Sequence, residues 1–450
     1  MRRGPRTTSS VGSRRSPPPA VLAHHAEGTA ESRYPRGLYL HVIVVSLIGG
    51  FAVMAWFIVY EGLNKLIWDN SFVAGHAWMF PVICLPFSLL VGLLVKYAKA
   101  PSNLDGSILD SLTGNVTHLK WKDLPVTVAQ SLASLFSGAV LGPEGAIGNI
   151  ASKVAAMYCD VFKIPADRRP KLIFASVASG YNGLLENPVF TAVLGTEIAE
   201  TKQQGLSTLP AALIGGGVGY GVFLLLHETG FADFLHLPPV QSFRLLDAVL
   251  MVPLALLGLV LAVLTALFMK VSAAFFGRLN DRIVTRALIA GVIFSAVGLF
   301  APVVMFSGET QVQTVIKGAA GYGVALLLVM AVAKLALLSV GFKSGFLGGP
   351  TFPLVFASVS VALALNLVFT SMPIAILVAG IMSGAVYALF RTPLMVVLLT
   401  AFMLDASPDL IAQIVLAVAT VMIAAPPLQR IMAERQARKG AASGRRVSTQ

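Results

Sequence analysis

Charge is what this 450-residue sequence has least of. Asp, Glu, Lys and Arg together make up 12% of it, about half the share of an ordinary soluble domain. Hydrophobic residues make up 56%. A soluble fold of this length could not cover its surface with so few charges, and the same apolar content excludes disorder of the bulk. Cysteine is nearly absent. Cys84 and Cys159 are the only two, which excludes a disulfide scaffold. No HExxH, paired CxxC, Walker loop or dinucleotide fingerprint occurs, so metal, nucleotide and cofactor chemistry have no support. No run alternates apolar and polar residues as a membrane strand does. What remains is an all-α, multi-pass membrane protein, and nothing marks it as an enzyme.

The few charges are unevenly placed. Residues 1–36 hold seven Arg against Glu27 and Glu31, and residues 430–450 hold six basic residues against Glu434. Ten of the net +12 therefore sit in two tails. No basic patch interleaved with aromatics lies between them, so the basic balance does not indicate nucleic acid. The positive-inside rule places both termini in the cytoplasm, at a plasma or inner membrane, with an even number of crossings. Such tails can also touch anionic lipid. Residues 1–36 lack an apolar signal core and read as a disordered basic tail. Residues 433–450 read as a second basic tail, and 37–432 as the membrane domain.

Apolar runs recur through that domain. Residues 38–60 are long enough to span a bilayer, with Gly49 and Gly50 inside. Others lie at 71–95, 124–143, 209–226, 248–269, 287–308 and 408–429. Between Lys343 and Arg391 there are 47 uncharged residues, interrupted by Gly345, Gly348, Gly349, Pro350, Pro353, Pro373, Gly380 and Gly384. No single helix fits that stretch, which predicts several short or broken ones. Irregular backbone at membrane depth survives only against protein or a wet cavity, so the breaks are where a substrate path is expected.

The breaks also repeat. Gly142-Pro143-Glu144-Gly145 is followed by Ser179-Gly180 and Pro188; Gly348-Gly349-Pro350 is followed by Ser383-Gly384 and Pro393. Gly142 to Pro188 is 46 positions and Gly349 to Pro393 is 44. Two halves of about 37–225 and 245–432 are expected, with a site between them.

Glu144 is the residue that most invites a function. A carboxylate within an uncharged membrane segment is costly and marks a functional position. Pro143 and the flanking glycines predict a helix that starts at Glu144 or Gly145. Its unpaired N–H groups favour negative charge. Two readings stand. In one, Glu144 caps that helix. In the other, the same N–H groups bind a permeating anion and Glu144 competes as a tethered anion, so that its protonation frees the site. The break from Lys343 to Pro353 is read the same way, as a tight crossing or as a second helix N-terminus aimed at one anion. Lys343 adds positive potential there or snorkels. Glu197 is the carboxylate near Asn187-Pro188 expected to be buried.

Four segments in order carry a resemblance. They are Val140-Leu141-Gly142-Pro143-Glu144-Gly145, Ser179-Gly180-Tyr181-Asn182-Gly183 through Glu197, Ser344-Gly345-Phe346-Leu347-Gly348-Gly349 through Pro353, and Phe390-Arg391-Thr392-Pro393-Leu394 through Asp405. Together they resemble the CLC family of chloride channels and proton-coupled chloride antiporters, over roughly residues 38–432. The resemblance implies tilted, broken helices in two inverted repeats and a homodimer with one pore per subunit. It implies Glu144 as gate and proton acceptor. Small inorganic anions, chloride first, would be held at Gly142, Gly145, Ala146, Gly349, Thr351 and Phe352, and protons would be a second cargo. No cofactor or metal is implied, and no regulatory domain is expected after residue 432.

Several positions depart from the family pattern. Pro143 stands for a basic residue and Ala146 for a proline. Lys99-Ala100-Pro101-Ser102-Asn103 replaces the serine-bearing loop, with Ser102 the nearest substitute. Pro350 falls where a backbone donor is expected and has none, leaving Thr351 and Phe352 to supply it. Gln429 stands for the pore tyrosine. Ile198 stands, beside Glu197, for the inner proton glutamate, which tilts the reading toward uncoupled flux over proton-coupled exchange. A neutral-solute pore or a non-conducting membrane protein are the more distant alternatives.

Overall fold

The computed structural model describes residues 36–103, 120–185, 187–199, 202–225, 235, 237–238, 240 and 244–447. The expected tail 1–36, apart from Arg36, lies outside them, as do Glu186 and the segment 104–119. The elements are α1 (Arg36–Ile67), α2 (Ser71–Gly75), α3 (Met79–Tyr97), α4 (Leu124–Phe136), α5 (Glu144–Val161), α6 (Arg169–Leu184), α7 (Phe190–Ile198), α8 (Lys202–Leu225), α9 (Leu245–Gly277), α10 (Ile283–Phe300), α11 (Glu309–Ser344), α12 (Thr351–Val368), α13 (Ile374–Phe390), α14 (Pro393–Met403) and α15 (Pro408–Val447). Among the described residues there is no strand, and eight helices are long and apolar enough to cross a membrane. α5, α6, α12 and α13 are buried along most of their length and form the centre.

The packing repeats between the halves. α1 lies on α6 and α8 as α9 lies on α13 and α15, and α5 meets α6 as α12 meets α13. The halves are inverted. α3 and α10, equivalent in this scheme, run antiparallel: Phe80 sits against Gly298, Ser88 against Gly291, and Val284 and Ala287 against Gly92.

Helices approach this closely because small residues remove side chains from the crossings, the usual means of association where lipid is as apolar as the protein. On α8, a Cβ at Gly215 would strike the Ala175 carbonyl and one at Gly219 the Ser179 carbonyl. In the other half, Gly258 of α9 is pressed against the Ile381 carbonyl of α13, and Gly384 of α13 against the Ala255 carbonyl of α9. The Ser179 hydroxyl donates to the Ser46 carbonyl at 2.7 Å and ties α6 to α1.

The long uncharged stretch resolves, as its glycines and prolines imply, into separate helices. α11 ends at Gly345, whose φ of 103° only glycine adopts readily. α12 and α13 follow after irregular turns. α11 is itself two helices joined at Gly323 (φ 70°, ψ 168°). The stretch read as a second basic tail is helical as far as Val447, with α15 continuing through Pro426 and Pro427. Ala, Glu, Arg, Gln and Lys dominate 433–439, and their helix propensity sustains the turn pattern where charge alone suggested an unstructured tail.

Gly215→Ala and Gly219→Ala are expected to force α6 and α8 apart and cost about 1–3 kcal/mol each. Gly217→Ala, with open space around it, is the control. Thermal unfolding in detergent checks this, and equal melting temperatures for all three would contradict the packing.

Candidate functional site

The two glycine breaks meet. Gly142 N–H donates to the Gly349 carbonyl at 2.8 Å, and Gly349 N–H donates to the Gly142 carbonyl at 2.7 Å. This isolated antiparallel bridge joins equivalent positions of the two inverted halves. Glycine is required because the two segments touch: a Cβ on Gly145 would lie 2.7–2.9 Å from the Gly348 backbone, and one on Gly348 would lie 2.6 Å from Leu141 Cβ.

Each segment turns at once into a helix. Pro143 precedes α5 and Pro350 precedes α12, both with helical backbone angles. Proline suits a helix start because its missing N–H would be unpaired there anyway. Two helix N-termini, each with a partial positive charge, are therefore set beside one bridge near the buried centre.

Glu144 lies between them. It belongs to α5, yet its Oε1 accepts the Thr351 N–H at 2.8 Å and so caps α12. Its carboxylate rests on the two bridge glycines, where a Cβ on either would strike it. Its Oε2 is buried without a hydrogen-bond partner. The Tyr181 hydroxyl donates to the Glu144 backbone carbonyl at 2.7 Å and fixes the start of α5 from α6. The carboxylate thus sits in a glycine cradle with one oxygen on a helix N-terminal N–H and the other unpaired.

The second break is clamped from three sides. Asn103 N–H donates to the Phe346 carbonyl at 3.1 Å, and Asn103 Nδ2 to the Gly348 carbonyl at 2.9 Å. Gln130 Nε2 donates to the Gly345 carbonyl at 3.0 Å, and the Leu347 N–H donates to Ser134 Oγ at 3.0 Å. Arg286 reaches the Lys343 carbonyl through Nε at 2.6 Å and again through Nη2. Backbone groups that a broken helix leaves without partners are thus satisfied by side chains.

A family profile described as Voltage gated chloride channel matches residues 87–425. The chain belongs to the voltage-gated chloride channel family. It is 26% identical over 326 residues to the H(+)/Cl(-) exchange transporter ClcA of Vibrio cholerae serotype O1, covering 68% of this chain and 67% of that protein. Its fold is similar to that of a slow cyanobacterial Cl-/H+ antiporter, with TM-score 0.74, 20% identity and coverage of 90% and 99%. It is also similar to a CLC-type fluoride/proton antiporter, with TM-score 0.68, 18% identity and coverage of 87% and 95%. The chain is thus an integral multi-pass protein with a CLC-like fold.

The remaining candidate positions divide into groups within this family fold. Gly142, Gly349 and Thr351 converge on the Glu144 carboxylate, while Gly145 packs on the Gly348 backbone. The Ala146 N–H closes the first turn of α5 onto the Pro143 carbonyl at 2.9 Å. Phe352 is buried in the first turn of α12. Ser102 is 1% exposed and adjoins Asn103, which clamps the second break. Lys343 offers its backbone carbonyl, not its side chain, to the Arg286 contacts. Glu197 is engaged at a different helix start, accepting the Leu394 N–H at 2.7 Å and the Met395 N–H at 2.9 Å at the N-terminus of α14. Gln429 falls in α15, and its side chain lies outside the described residues.

Sequence reading missed Tyr181, Asn103, Gln130 and Ser134 as parts of the site. A signal existed for two of them. Thr127, Gln130, Ser131, Ser134 and Ser137 recur at spacings of three and four within an apolar run, which marks one polar face of a helix.

Gly349→Ala is expected to displace only the flexible end of Glu144 and leave the fold stable. A structure of the variant should show the carboxylate off the α12 N-terminus. Gly145→Ala meets backbone instead, and should break the bridge and lower the unfolding temperature. A Gly349→Ala structure with Glu144 in place would contradict the cradle.

Proposed function

We propose that this protein conducts small inorganic anions, with chloride the first candidate, along a path that Glu144 closes. The observation that carries the reading is the Glu144 carboxylate on the Thr351 N–H. An anion that reached this point would find the same backbone donors and the same glycine cradle. It would be held by helix N-termini and single N–H groups, without a full counter-charge, and so could leave again. Glu144 blocks it while ionised, by occupying the donors and by like-charge repulsion. A protonated Glu144 loses most of its attraction to the α12 N-terminus and can swing aside.

Two modes of transport follow from this gate. In a channel-like protein, protonation only opens the path. In an exchanger, the proton taken by Glu144 is delivered to the other side. The ClcA relative and the two solved structures carry the exchanger description, which favours the second mode. Glu197 favours the first, because both its oxygens are committed to α14 and Ile198 beside it cannot carry a proton.

A homodimer belongs to the same proposal. α7 and α14 have 9 and 11 residues and pack on each other. At ~1.5 Å per residue neither spans the hydrocarbon core. Val189, Leu394 and Phe402 at or on them are exposed. Short helices at membrane depth need protein around their ends, and a second copy would provide it.

Anion efflux from liposomes with simultaneous pH recording tests the function. Glu144→Gln, which removes the charge and keeps the shape, should raise anion flux severalfold and reduce any coupled proton movement to background. Efflux with opposing proton movement in the parent would identify an exchanger, and efflux alone a channel-like protein. Unchanged flux and coupling in Glu144→Gln would refute the gate.

A further inference from the structure

Away from the Glu144 bridge, the described core holds a second buried charged cluster, built on the turn before α11. Lys334, in the second segment of α11, is 0% exposed. Its Nζ donates to the Met305 and Phe306 carbonyls, both at 2.9 Å, and stands 4.4 Å from the centre of the Phe356 ring. It also abuts Gly308, whose φ of 115° and missing side chain leave it room: a Cβ there would lie 3.2 Å from Nζ.

The next residue is Glu309, 7% exposed. It lies beside the side chains of Ser307 and Tyr60, and its Oε2 is buried without a hydrogen-bond partner. Glu61 and Asp69 act on the same cluster from α1 and the turn after it, and the Lys334 ammonium acts on it from α11. A cavity of about 210 Å³ lined by Trp68, Asp69, Phe80, Pro302 and Phe306 reaches this turn. Helix packing alone does not call for a buried lysine and carboxylate, whose desolvation is costly.

The cluster is close to the gate. Phe356 lies five residues beyond Thr351 on α12, about 7.5 Å along the axis. The Lys334 ammonium over its ring is therefore roughly a turn and a half from the N–H that holds Glu144. Glu309 itself acts on Glu144 through space. It also lies on a definite side. His41, near the start of α1, is 2.7 Å from the Tyr158 hydroxyl near the end of α5, so Tyr60 and Glu309 lie toward the opposite face.

We infer that Glu309 is a second proton-binding carboxylate: ionised, it masks the charge of Lys334, and protonated, it lets that charge act on the anion position beside Glu144. The proton would come from the face opposite the start of α1. Its effect would be to strengthen anion attraction when that face is acidic. The anion part rests on the transport reading; the proton site does not.

The test is a pH-stepped infrared difference titration of the purified full chain in liposomes, read at the carboxylic C=O band. Parent, Glu144→Gln, Glu309→Gln and Lys334→Gln proteins are compared, with monodisperse elution in detergent as the folding check and Glu309→Asp as the conservative variant. Beside Asp247, which is also buried, the parent should show two titrating carboxyls, Glu144 and Glu309. Glu309→Gln should lose one and move the midpoint of the other, identified by its absence in Glu144→Gln, by about one pH unit. Glu309→Asp should keep both bands. Chloride affinity by calorimetry at neutral pH should rise about three- to tenfold in Glu309→Gln and fall in Lys334→Gln. No band lost in Glu309→Gln, or an unmoved Glu144 midpoint, overturns the inference. Infrared shifts as expected with no chloride binding and no efflux in any variant would overturn the transport reading and leave the proton site standing.

Discussion

Two helices that begin in the middle of a membrane domain create a problem that the rest of the structure answers. Each exposes N–H groups that no turn of its own can satisfy, in a medium where water cannot do so. α5 and α12 face this problem together, on either side of the Gly142–Gly349 bridge. A negative group satisfies both the unpaired donors and the summed dipoles. Glu144 supplies one from within the chain, and a diffusible anion could supply one from outside. In the proposed function, gating is a competition between two negative groups for the same donors, settled by a proton.

Holding two segments and two helix starts together places strict demands on the surroundings. Gly145 and Gly348 must lack side chains because the segments touch. Asn103, Gln130 and Ser134 must reach the second break because its backbone has no helical partners. Tyr181 must hold the Glu144 carbonyl so that α5 starts in place. Close crossings at Gly215, Gly219, Gly258 and Gly384 let the outer helices surround this centre without widening it. Lys334 and Glu309 extend the same logic. In the proposed scheme, a charge buried a turn and a half from Glu144 changes the balance between carboxylate and anion without touching either.

Much of this architecture is legible in the chain itself. Low charge and long apolar runs specify an all-helical membrane protein. The glycine-proline breaks at 142–145 and 348–353 locate the centre, and Glu144 stands out because carboxylates are rare in such segments. Other parts are not legible. Glu309, at the edge of an apolar run, carries no local sign of its burial, whereas Lys334, the one charge between Lys317 and Lys343, does. Asn103 lies in a short polar loop, and nothing local says that it meets Gly348, 245 positions away. The helical course of 433–447 is hidden by its charge, which suggests a tail.

Local chemistry along the chain is enough to set the class of protein, the places where helices break, and the one acidic residue at a break. Apolar length, proline and glycine geometry, and the cost of a charge among apolar neighbours act over a few residues and leave their mark in the sequence. Folding in three dimensions settles the rest: which break meets which, that Glu144 of one helix caps the other, and that Glu197 serves a third helix start. It also brings Lys334 of α11 and Glu309 to one buried turn near Glu144. Those outcomes depend on inverting one half against the other, and inversion brings together residues whose separation along the chain carries no sign of their contact.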